Sequence, residues 1–409
     1  MKRILILLIM ALSVMFTSCS DWVNSVDPLI DVVQDSRLND PSQIPFVTNG
    51  VEQSLSDAAA ETFVVADLLS DEFIFSFDIP SATFIQFQDI DNGNIVLDNF
   101  NVRDVNRLVG RLRFYADDLV RRVGSLSGVD PAVEKKAKYI GYFYGGIARC
   151  WAASFLGYDK QTGGVAIDNS PIMTNDQAFD QAIEKMKTAL AYATDYQKRV
   201  VNTFIARCYL YKKDYTNAAT YAAQGMISGD APFQALYTSQ NANYYNVEVG
   251  SQRDQLALDP RFKAYVDADS TEAGRIQLGT SVGGSGTTYY RQQKYLTDDA
   301  PINLATWQEN DLMLAELALR GAGSGDALSL VNEVRASHNV SAATSVVLIN
   351  NAAPNDPNVT SIYTERDKEL FTTGFRLPDE HRFGQWHLPA GTWMWVPLNQ
   401  GEIDYNPNL

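Results

Sequence analysis

Apolar residues recur at helical spacing in two linked stretches, and this repeat constrains the fold more than any other feature of the chain. Lys198–Lys212 carries Val201, Phe204, Ile205, Cys208 and Tyr209 on one side, a tight KKDY turn follows, and Tyr215–Ile227 carries Ala218, Tyr221, Ala222 and Met226. Three-and-four spacing of this kind gives a helix one buried stripe. A turn this short makes the two helices antiparallel neighbours. The pattern returns in Glu309–Arg320, a GAGSG turn and Asp326–Ser337, where Ala327, Leu330, Val331 and Val334 form the stripe. Two further stretches are single helices. Glu134–Leu156 buries Ala137, Ile140, Tyr144, Ile147, Ala148, Trp151 and Phe155, and TNDQAFDQAIEKMKTALAYA starts at a cap on Thr174 or Asn175. Gly141 and Gly145 match a membrane dimerisation spacing, but in a soluble helix they let a neighbouring helix approach closely. Long insertions separate these units, so the expected scaffold is an interrupted array of helix pairs rather than a tandem solenoid.

The string AxxYLYxxDYxxAxxYA resembles a tetratricopeptide unit, in which small alanines let two helices nest. Two regions break the helical pattern: Ile79–Val102 is aromatic and polar, and Asp230–Pro301 is rich in loops, tyrosines and glycines. Structureless stretches of that length in a compact domain are usually functional or disordered. Aromatics interleaved with Gln, Asn and Arg point to a contact surface.

The amino terminus reads MKRILILLIMALSVMFTSCSDW. Lys2 and Arg3 precede an apolar run, Ile4 to Phe16, that is shorter than the roughly 20 residues needed to span a bilayer. The run suits the core of an export signal. Small residues directly before Cys19 resemble a bacterial lipobox, which implies cleavage after residue 18 and acylation of Cys19; an ordinary secretory signal with an incidental cysteine is the alternative. Residues 19–45, with Pro28, Pro41 and Pro45, read as a tether, and residues 46–409 as one domain. Loss of residues 1–18 removes two of 33 basic side chains and none of the 49 acidic ones, leaving a formal charge of −18. Such a surface repels phosphate backbones and offers no polybasic patch to anionic lipid, so nucleic acid is not an expected partner. Cys150 and Cys208 lie in helical patterns and read as buried thiols, with a disulfide between them as the alternative.

The carboxyl terminus is the most specific feature. TERDKELFTTGFRLPDEHRFGQWHLP is followed by a terminal VPLNQGEIDYNPNL. With NDLMLAELALRGAGSGDALSLVNEVRA, these segments resemble the SusD/RagB family of outer-membrane lipoproteins. The matching positions are Glu365, Arg366, Glu369, Leu370, Gly374, Arg376, Asp379, Arg382, Pro397, Glu402, Ile403, Asn406, Pro407 and Asn408. The chain is short for that family, and Asp379-Glu380-His381 departs from its commoner sequence after the arginine. The resemblance implies a mostly α, tetratricopeptide-like scaffold with helical pairs near 134–229 and 305–338. It also implies a loop-rich ligand-binding face at 230–304, a C-terminal segment over 360–409 and outer-membrane localisation through the lipid. The implied partner is a SusC-like TonB-dependent transporter, and the implied ligand is a glycan or, less commonly, a peptide. Its non-enzymatic alternative is a tetratricopeptide-like scaffold that recruits proteins.

Sugar rings present C–H faces and hydroxyl edges, so a binder needs flat aromatic platforms beside planar polar groups. Candidates are Asp71, Phe84, Gln86, Phe87, Tyr244, Tyr245, Tyr289, Tyr290 and Arg291, within clusters that also hold Phe73, Phe75, Phe77, Gln88, Asp89 and Tyr237. Core packing competes with this reading, and the alternation in EFIFSF reads equally as a short strand with one buried face. Glu365, Arg366, Glu369, Arg376 and Arg382 read as structural ion pairs rather than an acid–base set. Trp386, Trp393 and Trp395 read as packing beneath the terminal motif, or alternatively as a transporter-facing patch.

Signals for catalysis are weak. GTSVG around Ser281 matches a nucleophile elbow but lacks the strand before and the helix after that the elbow requires. His338, His381 and His387 have no zincin spacing. Asp89, Asp91 and Asn92, like Asp267, Asp269 and Glu272, offer hard oxygen ligands without a full calcium-loop register. No cofactor is expected.

Overall fold

The computed structural model describes residues 35–409. The leader, Cys19 and most of the tether lie outside the described residues. Within them no helix is long and apolar enough to cross a membrane.

Two short 3-10 turns lead into α1 (Ile44–Leu69), which is buried along most of its length. After β1 (Phe73–Ile74) and α2 (Ile85–Asp91), long helices follow in order: α3 (Phe100–Ser125), α4 (Pro131–Phe155), α5 (Asn175–Ala189), α6 (Asp195–Tyr211) and α7 (Tyr215–Ala222). β2 (Leu156–Gly157) closes α4. Local chemistry sets the starts. Asn99 and Asp130 accept from the first free amides of α3 and α4. Thr174 and Thr194 each form a capping box with the glutamine three residues on. α3 packs on α1 and α4, α4 on α5, α5 on α6, and α6 on α7.

The expected pairs are present, with one shortened member. α7 stops at Ala222 rather than Ile227. The cause is tertiary: Asn310 donates to the carbonyls of Ala222 and Met226 at 3.0 and 2.9 Å, taking the groups a further turn would have used. The expected role of Gly141 is also visible. A Cβ there would lie 2.6 Å from Val120 and 3.0 Å from the Ala116 carbonyl, so the glycine is what lets α3 and α4 touch. Cys150 and Cys208 are buried and unpaired.

The insertion is more ordered than its composition suggests. It contains β3 (Phe233–Ala235), α8 (Tyr244–Val249), β4 (Ala257–Leu258), α9 (Arg261–Ala268), β5 (Leu278–Val282), β6 (Thr288–Gln292) and β7 (Ile302–Ala305). β1, β4, β6 and β5 form one antiparallel sheet in that order, and β3 pairs with β7. α10 (Trp307–Leu319) and α11 (Ala327–Ser337) are the second helix pair, with β8 (Ser345–Val347) and β9 (Val359–Ser361) beyond them.

The C-terminal segment, α12 (Ile362–Glu369), α13 (Arg376–Phe383), β10 (Val396–Pro397) and α14 (Gln400–Tyr405), returns to the core. Phe375 packs on Phe63, which in turn meets Trp151 edge-on at 5.3 Å. Gly374 has φ +80°, and a Cβ there would strike Phe63 at 2.6 Å, which explains the glycine of the Gly-x-Arg motif. β10 lies parallel to β2, with Val396 opposite Leu156 and Pro397 opposite Gly157.

Candidate functional site

The strand after α1 ends at Ile74 and the chain turns at Phe77, so rings of the same parity do not share one face. Phe73 and Phe75 are buried, whereas Phe77 is 56% exposed and meets Phe75 edge-on at 5.0 Å. Asp78 follows and clamps the tip of the β5–β6 hairpin. Its carboxylate accepts from the Ser285 amide at 2.6 Å and the Ser285 hydroxyl at 2.7 Å, and its carbonyl accepts from Gly284 N at 3.1 Å. The Ser285 bonds hold the Asp78 carboxyl below its ordinary range. Ser285 Oγ and Thr287 Oγ1 are 2.8 Å apart, and Tyr289 Oη donates to Ser76 Oγ at 3.4 Å. Residues 76–78 and 283–289 therefore build one surface: an exposed ring, a half-buried tyrosine, hydroxyls and a carboxylate, each with a partner that fixes it.

A second cluster of rings lies further along the same segment. Phe84 packs edge-on to Phe100, and the Arg253 guanidinium sits 5.4 Å from the Phe84 ring. Arg253 also pairs with Glu248 at 3.1 Å, and Tyr244 Oη donates to Asn101 at 3.5 Å. Burial, aided by the charge of Asp104, pushes the Glu61 carboxyl up to about 7, and burial likewise raises Glu248.

Several candidates occupy other places than a ligand platform requires. Asp71 belongs to an ion cluster: Arg376 Nε is 2.7 Å and Arg261 Nη2 3.0 Å from its Oδ1. Burial alone would raise its carboxyl, but these two cations hold it far below the usual range. Phe87, on α2, is fully buried. Tyr245 is fully buried as well, stacked on Tyr295 at 4.8 Å and hydrogen-bonded to Asp67. Tyr237 donates to the Ser56 carbonyl at 2.9 Å from a buried position. Tyr289 and Tyr290 are neighbours on β6, so their rings leave opposite faces of the sheet and cannot form one platform. Arg291 is spoken for by Asp254 at 2.7 Å and the Gly250 carbonyl at 2.9 Å. Gln86 is half-buried on α2, and its carbonyl accepts from Asn99 at 2.9 Å. Phe84, Tyr244 and Tyr289 are half-buried, each with one side accessible.

The C-terminal charges form ion pairs. Glu365 accepts from Arg275 at 2.6 Å and Arg335 at 2.5 Å, while Asp379 lies between Arg366 at 2.7 Å and Arg382 at 2.6 Å. Trp393 is buried, and Trp395 meets His381 in a tilted contact with centroids 4.1 Å apart. Ser281 lies inside strand β5 and not at a strand-to-helix turn, so the elbow geometry is absent there. Asp91 accepts from Phe75 N and Asp267 pairs with Lys263, and among the described residues no three His, Cys, Asp or Glu side chains are grouped to hold a metal.

No family model matches the chain, and no curated protein matches it. Solved structures do. A SusD superfamily protein from Bacteroides fragilis superposes with a TM-score of 0.70 at 14% identity, over 90% of this chain and 98% of that one. Surface glycan-binding protein A from Bacteroides thetaiotaomicron gives 0.67 at 12%, over 90% and 97%. A SusD-like carbohydrate binding protein from Bacteroides vulgatus gives 0.65 at 15%, again over 90% and 97%. At these identities the shared property is the fold.

Proposed function

We propose that this chain, which has the SusD-like fold, is a lipid-anchored, non-catalytic cell-surface protein that binds a glycan and hands it to a SusC-like TonB-dependent transporter in the outer membrane. The observation that carries the reading is the loop face around Phe77. A ring more than half exposed, next to Tyr289 and the hydroxyls of a clamped hairpin, offers stacking for a sugar face and fixed partners for its edges. Its neighbour, the Phe84–Tyr244–Arg253 cluster, extends the same chemistry along the segment. An oligopeptide is the second ligand class, because aromatic walls with a fixed arginine and carboxylates also suit peptide groups. The charges of the C-terminal motif support a reading of binding without turnover. The acid and base side chains of the C-terminal motif are consumed in buried pairs, which leaves them unable to reach a ligand on the loop face. The lipid on Cys19 and the transporter partner rest on the lipobox and the family resemblance.

Calorimetric titration of soluble residues 20–409 with a glycan panel and a peptide library tests the reading. Saturable binding with intact ligand recovered afterwards supports it. Released reducing ends would identify a hydrolase instead. Silence on every ligand, with retention of a protein partner other than a transporter, would favour the scaffold reading.

A further inference from the structure

Away from the loop face, the carboxyl ends of α4 and α6 meet α13 and the chain before β10 around a recess of about 110 Å³. No residue of the 230–304 insertion lines it. Four of its lining side chains carry a buried polar atom that has no hydrogen-bond partner among the described residues: Tyr211 Oη, Arg382 Nη2, Trp395 Nε1 and His381 Nδ1. Buried polar groups normally find partners, and leaving several bare around one opening is costly. The volume also exceeds the roughly 10–15 Å³ that one water molecule needs, which leaves room for a small polyatomic ion.

These side chains are held in place by other atoms. Phe179 of α5 meets the Tyr211 ring edge-on, with centroids 6.1 Å apart. Arg382 donates through Nε to Asp379 at 2.6 Å and through Nη1 to Glu316, so Nη2 is its one nitrogen left over. Tyr211 is 9% exposed and Arg382 7%, so bulk water does not stand in for the missing partners. Trp395 is fixed against the His381 ring.

The free atoms set the sign and class of what fits. Guanidinium and indole N–H groups only donate. Burial raises the Tyr211 ionisation far above its ordinary value, so its hydroxyl stays a donor too. Arg320, Arg366 and Arg382 share two carboxylates, Asp379 and Glu316, which leaves an excess of positive charge beside the recess. Exposed Lys213 adds another cation at its rim, and no carboxylate lines it. One acceptor completes the set. His381 Nε2 lies 2.7 Å from the Met394 carbonyl, which can only accept, so Nε2 carries the proton. Burial lowers the ring to about 4 and keeps it neutral, which makes Nδ1 a bare acceptor. Three donors beside one acceptor suit an oxyanion that retains a proton of its own, as phosphate does at neutral pH and sulfate does not.

We propose that this recess is a binding site for a small protonated oxyanion of the phosphate class. Tyr211, Arg382 and Trp395 donate to its oxygens, and His381 Nδ1 accepts from its hydroxyl. The site is independent of the loop face and of whatever binds there.

Calorimetric titration of soluble residues 20–409 with inorganic phosphate and with sulfate, at neutral pH and fixed ionic strength, tests the proposal. Phosphate is expected to bind one-to-one at millimolar concentration or tighter, and sulfate at least tenfold more weakly. Tyr211→Phe and Trp395→Phe each remove a donor that no protein atom uses, so each should weaken phosphate binding about tenfold, the worth of one hydrogen bond to a charged group. In phosphate-free buffer Tyr211→Phe should unfold at the same denaturant concentration as the wild type. A lower midpoint with unchanged phosphate affinity would make the hydroxyl purely structural and overturn the proposal. No phosphate binding in the millimolar range overturns it as well. So does sulfate binding equal to that of phosphate, or phosphate binding indifferent to both substitutions.

Discussion

Arg335 donates to Glu365 across 2.5 Å, and neither side chain touches solvent. Arg275 at 2.6 Å and the Thr360 hydroxyl at 2.6 Å complete the carboxylate's partners. Burial alone would raise Glu365, but Arg275, Lys368 and Arg335 outweigh it and hold the group at about 2. Removing one member of such a set leaves buried charge uncompensated, which costs about 3–5 kcal/mol. Glu365→Gln should therefore lower the unfolding free energy in urea by that amount, and a loss under about 1 kcal/mol would mean the cluster is wetter than its geometry indicates.

A second buried pair works in the opposite direction with pH. Burial raises Asp67 to about 7, against hydrogen bonds from Tyr245 and Gly374, and raises Glu72 well above its ordinary value with Asp67 adding to the effect. An acid whose folded value exceeds its unfolded one holds its proton more tightly when folded. Its stabilising contribution is complete below about pH 4 and disappears as pH rises through about 7. The stability difference between wild type and Asp67→Asn should thus shift in favour of the variant from pH 4 to pH 7, measured by denaturant midpoints across that range. A pH-independent difference would show that the pair does not share a proton.

Contact between α3 and α4 depends on the absence of a side chain at Gly141. Alanine in mid-helix ordinarily gains about 1 kcal/mol over glycine. Here the added methyl would sit 2.6 Å from Val120 and 3.0 Å from a backbone carbonyl. Overpacking of this kind costs about 1–3 kcal/mol, so Gly141→Ala should lower the thermal midpoint rather than raise it.

Phe77 and Phe87 should separate binding from folding. Phe77→Ala removes an exposed ring and should weaken glycan binding about tenfold while leaving the denaturation midpoint almost unmoved. Phe87→Ala empties a core position, with a stability cost of about 3–5 kcal/mol. Tyr289→Ala should weaken binding and Tyr290→Ala should not, because the two rings leave opposite faces of β6; equal losses from both would contradict the sheet register.

Cys19→Ala should leave the full-length protein unacylated. The proposed anchor on Cys19 predicts that fractionation of cells expressing it moves the chain from the membrane pellet to the soluble fraction.

The scaffold was readable wherever burial repeats at helical period. Val201, Phe204 and Ile205, or Leu312 and Leu317, reveal their helices because one stripe must meet one neighbour. The paired charges of the C-terminal motif were readable too, since so many acids and arginines in an apolar context have to neutralise each other. Helix α3, by contrast, is not among the stretches that stand out, because its arginines and aspartates interrupt the stripe of Val105, Leu108, Val109 and Leu112. The proposed ligand face was readable only as a region. Whether Phe77 or Phe87 faces outward, and whether Tyr245 is platform or core, depends on contacts between segments more than 150 residues apart, such as Tyr245 with Asp67.

β2 and β10 pair Leu156 with Val396, closing a loop of 240 residues, and the segment around them also bonds Trp393 to Gly93, Gln400 to Leu97 and Asn106 to Pro397. Contacts so remote in sequence make assembly slow, because their entropic cost falls due before they contribute. A ribosome or export channel delivering this chain amino-end first releases these residues last. Until they arrive, Gly93, Leu97 and Asn106 lack these partners, so the contacts of the amino-terminal helices are completed only when the carboxyl end is released.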